Sequence, residues 1–377
     1  MRLVMAAHSA PRWHGDVAGS FLVRLAEALV QRGHTLAMVA PADRGRAGRI
    51  TVDGVEVLQV RYASPQREDL AYTGDMARSA RSPSGAWAFL RLVRALRAGV
   101  RAEARRIDAQ LVHAFWWVPG GWAATGTGLP SVVSLMGTDV AMMRLLPARI
   151  LAHRVLTRAS RVTALSTFLA DEARRLARLG DLAIDRVPVP ADTTRFGSAA
   201  AAGGGGIAYL GRLSPQKRVD LLLEAVHAAR IAVPLTIIGD GPDRARLERR
   251  VAELGLGNVR FLGAVPDAEV PPIVSAADVV AFPAQREGLG LAAAEALMLG
   301  VPVVATSDGG GVLDLVRDGA GAAVAEATPS AFGAALQRCL ADAAMRPAAA
   351  AAGERLREEL SPRGVAARFE RVYEAIT

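Results

Sequence analysis

Four charged residues in the second half of the chain have the types and the spacing to hold a phosphorylated sugar. Arg212 follows Gly211 directly, and Lys217 lies five positions further along. A guanidinium fork and a compact ammonium both bind phosphate oxygens well. Glu287 and Glu295 lie eight positions apart, and a carboxylate accepts paired hydrogen bonds from sugar hydroxyls. The pattern therefore predicts a pocket that binds a diphosphate next to a sugar.

The lysine and a short glycine-rich segment support this prediction. Lys217 is the only lysine among 45 basic residues, and all the others are arginine. A position that keeps an ammonium in such a sequence indicates a site that needs a compact charge. Gly288, Leu289 and Gly290 lie between the two glutamates, where backbone N–H groups at a helix start would bind phosphate oxygens.

Short apolar segments alternate with amphipathic segments along the chain, which predicts an α/β fold with parallel sheets covered on both faces. The expected strands of the first half are Leu3–Ala7, Thr35–Ala40, Gln110–Phe115, Ser131–Met136, Arg161–Leu165 and Ile184–Val187. Those of the second half are Ile207–Leu210, Leu235–Ile238, Val259–Leu262, Val279–Phe282 and Val301–Ala305. Doubly wound, Rossmann-like sheets bind ligands at the carboxyl ends of their strands, so we expect two such domains facing a central cleft.

A run of alanines and glycines separates the two patterns, and this composition is typical of a flexible linker. We expect an N-terminal domain over residues 1–190, a linker over 191–205 and a ligand-binding C-terminal domain over 206–360. A last helix over 361–377 would cross back to the first domain. The other helices expected near the candidate residues are Ala18–Arg32, Gln216–Ala229, Asp243–Leu254 and Leu291–Leu299.

The composition is that of a globular protein, with 51% hydrophobic residues in a chain of 377. No secretory signal is evident, and the longest stretch without charged residues, 109–138, is interrupted by glycines and prolines, so no transmembrane helix is expected. The one cysteine, Cys339, fits a reducing cytoplasm. We therefore expect a cytoplasmic protein. The six histidines are scattered without metal-ligand spacing, so we expect that the protein uses no metal and no cofactor.

Charge is distributed unevenly within the net +8. Residues 1–190 carry 26 arginines and 15 acidic residues, whereas residues 191–377 carry 19 basic and 22 acidic residues. A basic first half suits an anionic membrane surface or an anionic acceptor. The helix expected over Gly85–Arg106 places apolar residues among arginines, which favours the membrane surface. An arginine-rich solvated surface is the alternative. Nucleic acid is not an expected partner, because no compact basic run with interleaved aromatic residues occurs.

The motifs of the second half resemble those of the family 4 glycosyltransferases, which have the GT-B fold. The resemblance rests on Gly211-Arg212 with Lys217, Leu235–Pro242, Val259–Gly263, Glu287 with Glu295, and Gly300–Gly310, which together cover most of residues 206–320. The family takes nucleotide-diphospho-sugars, retains the anomeric configuration and needs no metal ion.

The resemblance also implies roles for individual residues. Arg212 and Lys217 would bind the donor diphosphate. Glu287 would contact the transferred sugar and Glu295 the nucleoside ribose. The backbone around Gly263 to Pro266 would meet the base.

The first half matches the family less closely. His14–Gly19 falls where the family has a glycine-rich loop near the donor phosphates, which implies a donor contact for Gly15. Phe115 and Met136 stand where many relatives have histidines. The acceptor chemistry of those histidines is therefore not implied for this chain.

Three polar residues remain as acceptor-side candidates: Asp16, His113 and Asp139. Each also has a structural interpretation, because a histidine on a buried strand is often a core residue and an aspartate often caps a helix. Three nearby tryptophans would either line an acceptor pocket or pack in the core: Trp116, Trp117 and Trp122.

The resemblance, together with these features, implies a retaining, metal-independent enzyme that moves a hexose from a nucleotide-diphospho-sugar to an acceptor, either a glycan, a lipid or a small molecule. If the nucleotide diphosphate departs from the front face, its phosphate oxygen can take the acceptor proton without a histidine base. Within the same fold, a nucleotide-sugar epimerase and a phosphorylase are alternatives. A catalytically inactive sugar-nucleotide-binding protein is another.

Overall fold

The computed structural model describes residues 1–16, 18–68, 70–72, 76, 82–197 and 203–377, which divide into two compact units. Unit 1 consists of Met1–Pro190 and Pro362–Thr377, and unit 2 of Ala191–Ser361. Residues 198–202 of the expected linker lie outside the described residues. Its first part is not free chain, because Phe196 is fully buried and Arg195 forms a 2.9 Å ion pair with Asp267.

The described part of unit 1 contains eight strands, β1 (Arg2–Ala6), β2 (Thr35–Pro41), β3 (Gly48–Val52), β4 (Val55–Val60), β5 (Leu111–Phe115), β6 (Ser131–Leu135), β7 (Arg161–Ala164) and β8 (Ile184–Arg186). They form one sheet in the order β3-β4-β2-β1-β5-β6-β7-β8. Every neighbouring pair runs parallel except β3 and β4. The central strands β5 and β6 are buried along their whole length, as expected of a parallel sheet covered on both faces.

The antiparallel pair of β3 and β4 is missing from the sequence interpretation. Its two strands are joined by Asp53-Gly54, and both residues have positive φ, at 49° and 80°. Asp-Gly between two apolar segments is a strong signal for a tight hairpin, because such turns require left-handed backbone at both positions. The turn residues alone would therefore have located this hairpin.

The described helices that connect the strands of unit 1 are α1 (Ser20–Gln31), α2 (Pro83–Ile107), α3 (Trp122–Ala124), α4 (Thr138–Met142), α5 (Leu146–Leu156) and α6 (Thr167–Ala177). The amphipathic pattern of α2 has a simpler cause than membrane contact. Val93, Leu96 and Val100 are buried in the protein core, whereas Trp87 and Leu90 are exposed large apolar residues of this helix. Most of the apolar stripe that suggested a membrane surface therefore packs against the protein itself.

Unit 2 contains, within its described residues, six strands, β9 (Ile207–Leu210), β10 (Leu235–Ile238), β11 (Val259–Gly263), β12 (Val279–Phe282), β13 (Val303–Thr306) and β14 (Ala322–Ala325). They form a parallel sheet in the order β11-β10-β9-β12-β13-β14. Its helices are α7 (Val219–Ala228), α8 (Arg244–Glu253), α9 (Val270–Ala276), α10 (Leu291–Met298), α11 (Pro329–Ala341) and α12 (Met345–Glu359). The sequence interpretation lacks β14, whose four small apolar residues carry a weak strand signal.

The last helix, α13 (Pro362–Glu374), belongs to unit 1. Its Glu370 forms a 2.5 Å ion pair with Arg32 and lies 2.7 Å from Nε2 of His34. Phe369 and Tyr373 are buried in the same hydrophobic cluster as α1. The C-terminal segment thus returns to the first sheet through one apolar face and one carboxylate. None of the described helices is both long enough and apolar enough to cross a membrane.

Candidate active site

The strand order of unit 2 brings the predicted donor-binding residues to one place. The chain leaves β9 toward β10 on one side, whereas β12 lies next to β9 on the other side. Doubly wound sheets bind ligands at the carboxyl ends of such a neighbouring pair, where the strand order reverses. Gly211 and Arg212 directly follow β9, and Glu287 lies in the loop after β12. The two groups of charged residues therefore meet at the switch point of the sheet.

Lys217 and Glu287 form an ion pair across this switch point. Nζ of Lys217 lies 2.8 Å from Oε1 of Glu287, and the two side chains are 21% and 15% exposed. The Lys217 ammonium also lies 5.7 Å from the ring centre of Phe282. The sequence predicts that both side chains contact the ligand, but it does not predict that they form an ion pair with each other. With solvent partly excluded, each charge holds the other in position at the surface that a ligand would reach.

The position of Lys217 differs from the expected one. The sequence placed it in the first turn of a helix beginning at Gln216, but it ends a short 3₁₀ turn, Pro215–Lys217, and α7 begins at Val219. Arg218 lies between them with a left-handed backbone, at φ 46°. This residue interrupts the regular helix, so Lys217 is positioned by a loop.

Arg218 is a residue that the sequence reasoning missed. Its guanidinium donates to the carbonyl of Pro283 at 2.9 Å, to Oγ1 of Thr306 at 3.0 Å and to both carboxylate oxygens of Asp308 at 2.9 and 2.6 Å. Burial by itself raises the pKa of Asp308. The hydrogen bonds from Arg218 and Thr306 lower this pKa by a larger amount, so the net shift is downward. Arg218 therefore ties the turn that carries Lys217 to the loops after β12 and β13. Nothing in its sequence position distinguishes it from other arginines.

A glycine-rich loop after β13 fixes the backbone of Glu287. The N–H of Glu287 donates to the carbonyl of Gly309 at 2.8 Å, and its carbonyl accepts from Gly311 at 2.7 Å. Gly310 has φ 78°, and a Cβ atom at this position would lie 2.9 Å from Cα of Arg286. Only glycine allows the two loops to approach this closely. Glu287 is consequently held from both sides of its peptide backbone.

The turns after β9 and β10 also pack backbone against backbone. A Cβ atom at Gly239 would lie 2.0 Å from the carbonyl oxygen of Gly211. Gly239 in turn donates to the carbonyl of Gly263 at 2.8 Å. The buried Tyr209 donates through its hydroxyl to the carbonyl of Arg212 at 3.1 Å. The backbone of this turn is therefore rigid, whereas the Arg212 side chain is exposed and forms no ion pair with any residue that the structure describes.

The segment before α10 retains the features of a phosphate-binding helix start. Gly290 is the N-cap residue, with φ 88°, and no side chain caps the helix. The side chain of Leu289 is buried, so only the backbone of this residue is available to a ligand. Glu295 is partly buried on a helix whose Ala293, Ala294, Ala296, Leu297 and Met298 are all buried. An ionisable residue among such neighbours is unusual in a purely structural helix.

Two of the acceptor-side candidates in unit 1 are core residues. His113 has no exposed surface, and its ring nitrogens lie 2.7 Å from the hydroxyls of Tyr373 and Ser134. Burial lowers its pKa to about 3, so the ring is neutral. Asp139 is also fully buried and accepts from the backbone N–H groups of Met136 and Gly137 at 2.9 and 2.8 Å. Neither side chain is available to an acceptor, which corrects both assignments.

Asp16 and Gly15 lie in the loop before α1. Asp16 does not cap the helix, because the N-cap position belongs to Gly19. Its carboxylate accepts from the Arg12 guanidinium at 2.6 Å and from the N–H of Ala18 at 3.2 Å. Burial raises its pKa, and the hydrogen bonds from Arg12 more than reverse this shift. Gly15 has φ 81° and open space where a side chain would be, so its backbone remains a candidate for ligand contact.

The strand order of unit 1 reveals a pair that the sequence reasoning did not assemble. Here the order reverses between β1 and β5, and His8 and Trp116 follow these strands closely. Their rings stack with centres 3.7 Å apart and planes 13° apart. Burial lowers the pKa of His8 to about 4, and its Nδ1 has no hydrogen-bond partner among the described residues. Trp116 is one of the three tryptophans that the sequence offers for an acceptor pocket, whereas His8 is found only by applying the switch-point rule to β1.

Within the described part of the chain, no group of three or more His, Cys, Asp or Glu side chains is arranged to hold a metal ion. The expectation of metal independence stays a prediction.

Similar proteins of known fold support the assignment of the two sheets. Sucrose-phosphate synthase from Thermosynechococcus elongatus aligns with a TM-score of 0.76 at 21% identity, over 99% of this chain and 98% of its own. The HepE protein of Anabaena, solved in complex with UDP, aligns with a TM-score of 0.72 at 19% identity, over the full length of both chains. The predicted fold class, α/β with two Rossmann-like sheets of the GT-B type, is confirmed.

Sequence relatives point to the same family. The D-inositol 3-phosphate glycosyltransferase of Nocardia farcinica is 33% identical over 262 residues, which are 59% of this chain and 56% of that protein. The 2-deoxystreptamine glucosyltransferase of Streptomyces kanamyceticus is 36% identical over 174 residues, 41% of this chain and 44% of that protein. The chain thus matches about half the length of these relatives.

Two family models match consecutive parts of the chain. Residues 18–190 match the glycosyl transferase 4-like domain, and residues 191–357 match the glycosyl transferases group 1 model. Together they span most of the sequence, in the order of the two units. The chain belongs to the family 4 glycosyltransferases.

Proposed function

We propose that this protein transfers a hexose from a nucleotide-diphospho-sugar to an acceptor, with retention of the anomeric configuration and without a metal ion. The observation that carries the proposal is the Lys217–Glu287 pair at the switch point of unit 2, with Arg212 exposed in the turn after β9. Two cations, a carboxylate and an uncapped helix start together suit a diphosphate linked to a sugar. HepE has been solved with UDP-glucose, which supports a donor of this class.

In the proposed reaction the bond between the anomeric carbon and the phosphate oxygen breaks as the acceptor oxygen approaches from the same face. Negative charge develops on the leaving diphosphate, where Arg212, Lys217 and the N–H groups at the start of α10 would stabilise it. The acceptor proton passes to the leaving phosphate oxygen. The neutral, buried His113 takes no part in this transfer. Glu287 would accept hydrogen bonds from the transferred sugar and keep Lys217 oriented toward the diphosphate.

The donor assignment is tested by thermal-shift measurements with UDP-, GDP-, ADP- and TDP-sugars, followed by turnover assays in the presence of EDTA. One donor is expected to raise the melting temperature, because a ligand that binds only the folded state stabilises it by mass action. With a panel of polyhydroxylated acceptors, that donor should give a glycosylated product. Donor consumption without an acceptor would instead indicate an epimerase, and binding without turnover an inactive binding protein.

On the acceptor side we propose that the His8–Trp116 stack forms a platform for a sugar-like or cyclitol ring. Trp116→Ala is expected to reduce transfer at least tenfold, since the variant lacks the stacked surface that orients the acceptor. The thermal shift by the donor should be unchanged. Measured with a soluble acceptor, Trp87→Ala is the matched control, because Trp87 is an exposed tryptophan of the same unit that does not follow a central strand. Equal transfer rates in the two variants would exclude the platform.

Peripheral association with an anionic membrane at the cytoplasmic side also remains a proposal. It is supported by the exposed Trp87 and Leu90 on α2 beside the exposed Arg91 and Arg94. Co-sedimentation at low salt should favour anionic over neutral vesicles. Equal binding to both would contradict it.

A further inference from the structure

Four arginines line a cavity of about 440 Å³ in unit 1, and none of them belongs to the candidate active site. They are Arg161, Arg186, Arg368 and Arg371. Among the described residues that line the cavity, Asp185 is the one acid. Such a concentration of positive charge around a single cavity requires a physical explanation.

The sheet and the last helix bring these residues together. Thr163 on β7 is in register with Asp185 on β8, and Arg161 lies two residues before Thr163. Because side chains alternate along a strand, Arg161 and Asp185 lie on the same face of the sheet. On α13, Arg368 and Arg371 lie three positions apart and share one face. The cavity therefore lies where α13 meets the edge strand β8.

Structural roles account for only some of these arginines. Arg371 lies in the last turn of α13, where a cation complements the helix dipole. A charged residue such as Arg186 on an edge strand discourages pairing with another sheet. Neither reason applies to Arg161, which begins β7, a strand whose other residues are buried. In the part of the chain that the structure describes, neither Arg161 nor Arg371 forms an ion pair.

We propose that this cavity binds a phosphate-bearing ligand, at a second anion site that does not depend on the donor site. Guanidinium groups bind phosphate oxygens in bidentate fashion, and several around one centre neutralise a dianion. The volume lies in the range of small-molecule sites, about 300–1,000 Å³. It exceeds what a single phosphate needs, so the ligand is a phosphorylated small molecule or the headgroup of a phospholipid.

Calorimetric titration with inorganic pyrophosphate tests the site. The titration is carried out in a Lys217→Ala background, so that the proposed donor site contributes little. Pyrophosphate should still bind in this background. Adding Arg161→Gln and Arg371→Gln should weaken binding about 100-fold, because each charge-assisted hydrogen bond contributes about tenfold to the affinity. The control adds Arg105→Gln and Arg154→Gln, two exposed arginines of the same unit, and should leave the affinity unchanged.

Vesicles distinguish the two sources of phosphate. Co-sedimentation is measured with vesicles containing phosphatidic acid and with vesicles of phosphatidylcholine alone. Loss of binding to the anionic vesicles in the Arg161/Arg371 variant, with binding kept in the control variant, identifies a headgroup site. Loss of pyrophosphate binding with unchanged vesicle binding identifies a soluble ligand.

Equal pyrophosphate affinity and equal vesicle binding in the two double variants would overturn the proposal. Thermal unfolding monitored by circular dichroism checks that both variants fold. If the Arg161/Arg371 variant does not fold, the single Arg371→Gln change at an exposed position is compared with Arg154→Gln. A tenfold difference in pyrophosphate affinity then supports the site, and no difference excludes it.

Discussion

Lys217→Ala is expected to lower kcat/KM for the sugar donor by about 100- to 1,000-fold, the range seen when one preorganised charge-stabilising donor is removed from an active site. Lys217 lies at the switch point of unit 2 with its ammonium 2.8 Å from Glu287. Loss of the ammonium removes a positive charge from the proposed diphosphate site. Both kcat and the affinity for the free nucleoside diphosphate should fall, because this product carries the same charged group.

The control for Lys217→Ala is Arg249→Ala, which removes a cation from an exposed position on α8 of the same unit. Its kinetic constants should match those of the wild-type protein. Lys217→Ala also leaves Glu287 without its ion-pair partner, so thermal unfolding is measured in parallel. The double variant Lys217→Ala with Glu287→Gln removes the unpaired charge and should recover stability without recovering activity. Full kcat and KM in Lys217→Ala would show that the ammonium does not contact the diphosphate.

Glu287→Gln is expected to lower kcat by about 100-fold, because the amide cannot accept the paired hydrogen bonds that a carboxylate accepts from sugar hydroxyls. The side chain keeps its size, and its backbone remains held by Gly309 and Gly311. The variant should therefore bind the free nucleoside diphosphate, which lacks the sugar, nearly as well as the wild type. This result would separate the role of Glu287 from that of Lys217.

Titration of the nucleoside diphosphate into both variants measures that difference. Glu326→Gln serves as the matched control, since Glu326 is an exposed carboxylate of unit 2. Equal losses of nucleoside diphosphate affinity in Glu287→Gln and Lys217→Ala would mean that the pair acts only as one electrostatic unit. The assignment of Glu287 to the transferred sugar would then be wrong.

Much of the fold could be predicted from the local pattern of apolar and polar residues in the sequence. Every expected strand of unit 2 occurs within two residues of its expected bounds, for example β9 at Ile207–Leu210 and β13 at Val303–Thr306. A buried parallel strand is a short apolar run between turn residues, so its signal lies within a few neighbouring positions. The candidate donor residues were found for a similar reason, because ligand-binding residues of this fold directly follow its strands.

The contacts between segments that are distant in the sequence could not be predicted from local pattern. Lys217 and Glu287 are 70 positions apart, and their pairing depends on β9 and β12 becoming neighbours in the sheet. The ties from Arg218 to Asp308 have the same origin. The pattern of apolar residues in a sequence predicts which residues are buried. It does not predict which strands become neighbours in the sheet, because that order is set by the packing of whole elements.

The sequence by itself determined the two α/β units and the places of the candidate donor-side charges after the strands. Only the tertiary structure showed that His113 and Asp139 are core residues, that Val93, Leu96 and Val100 of α2 pack inward and that His8 stacks on Trp116. A polar residue on a buried strand has the same local pattern whether it faces a ligand or a satisfied partner such as Tyr373. That choice depends on the hydrogen-bonding groups that folding brings to it from elsewhere in the chain.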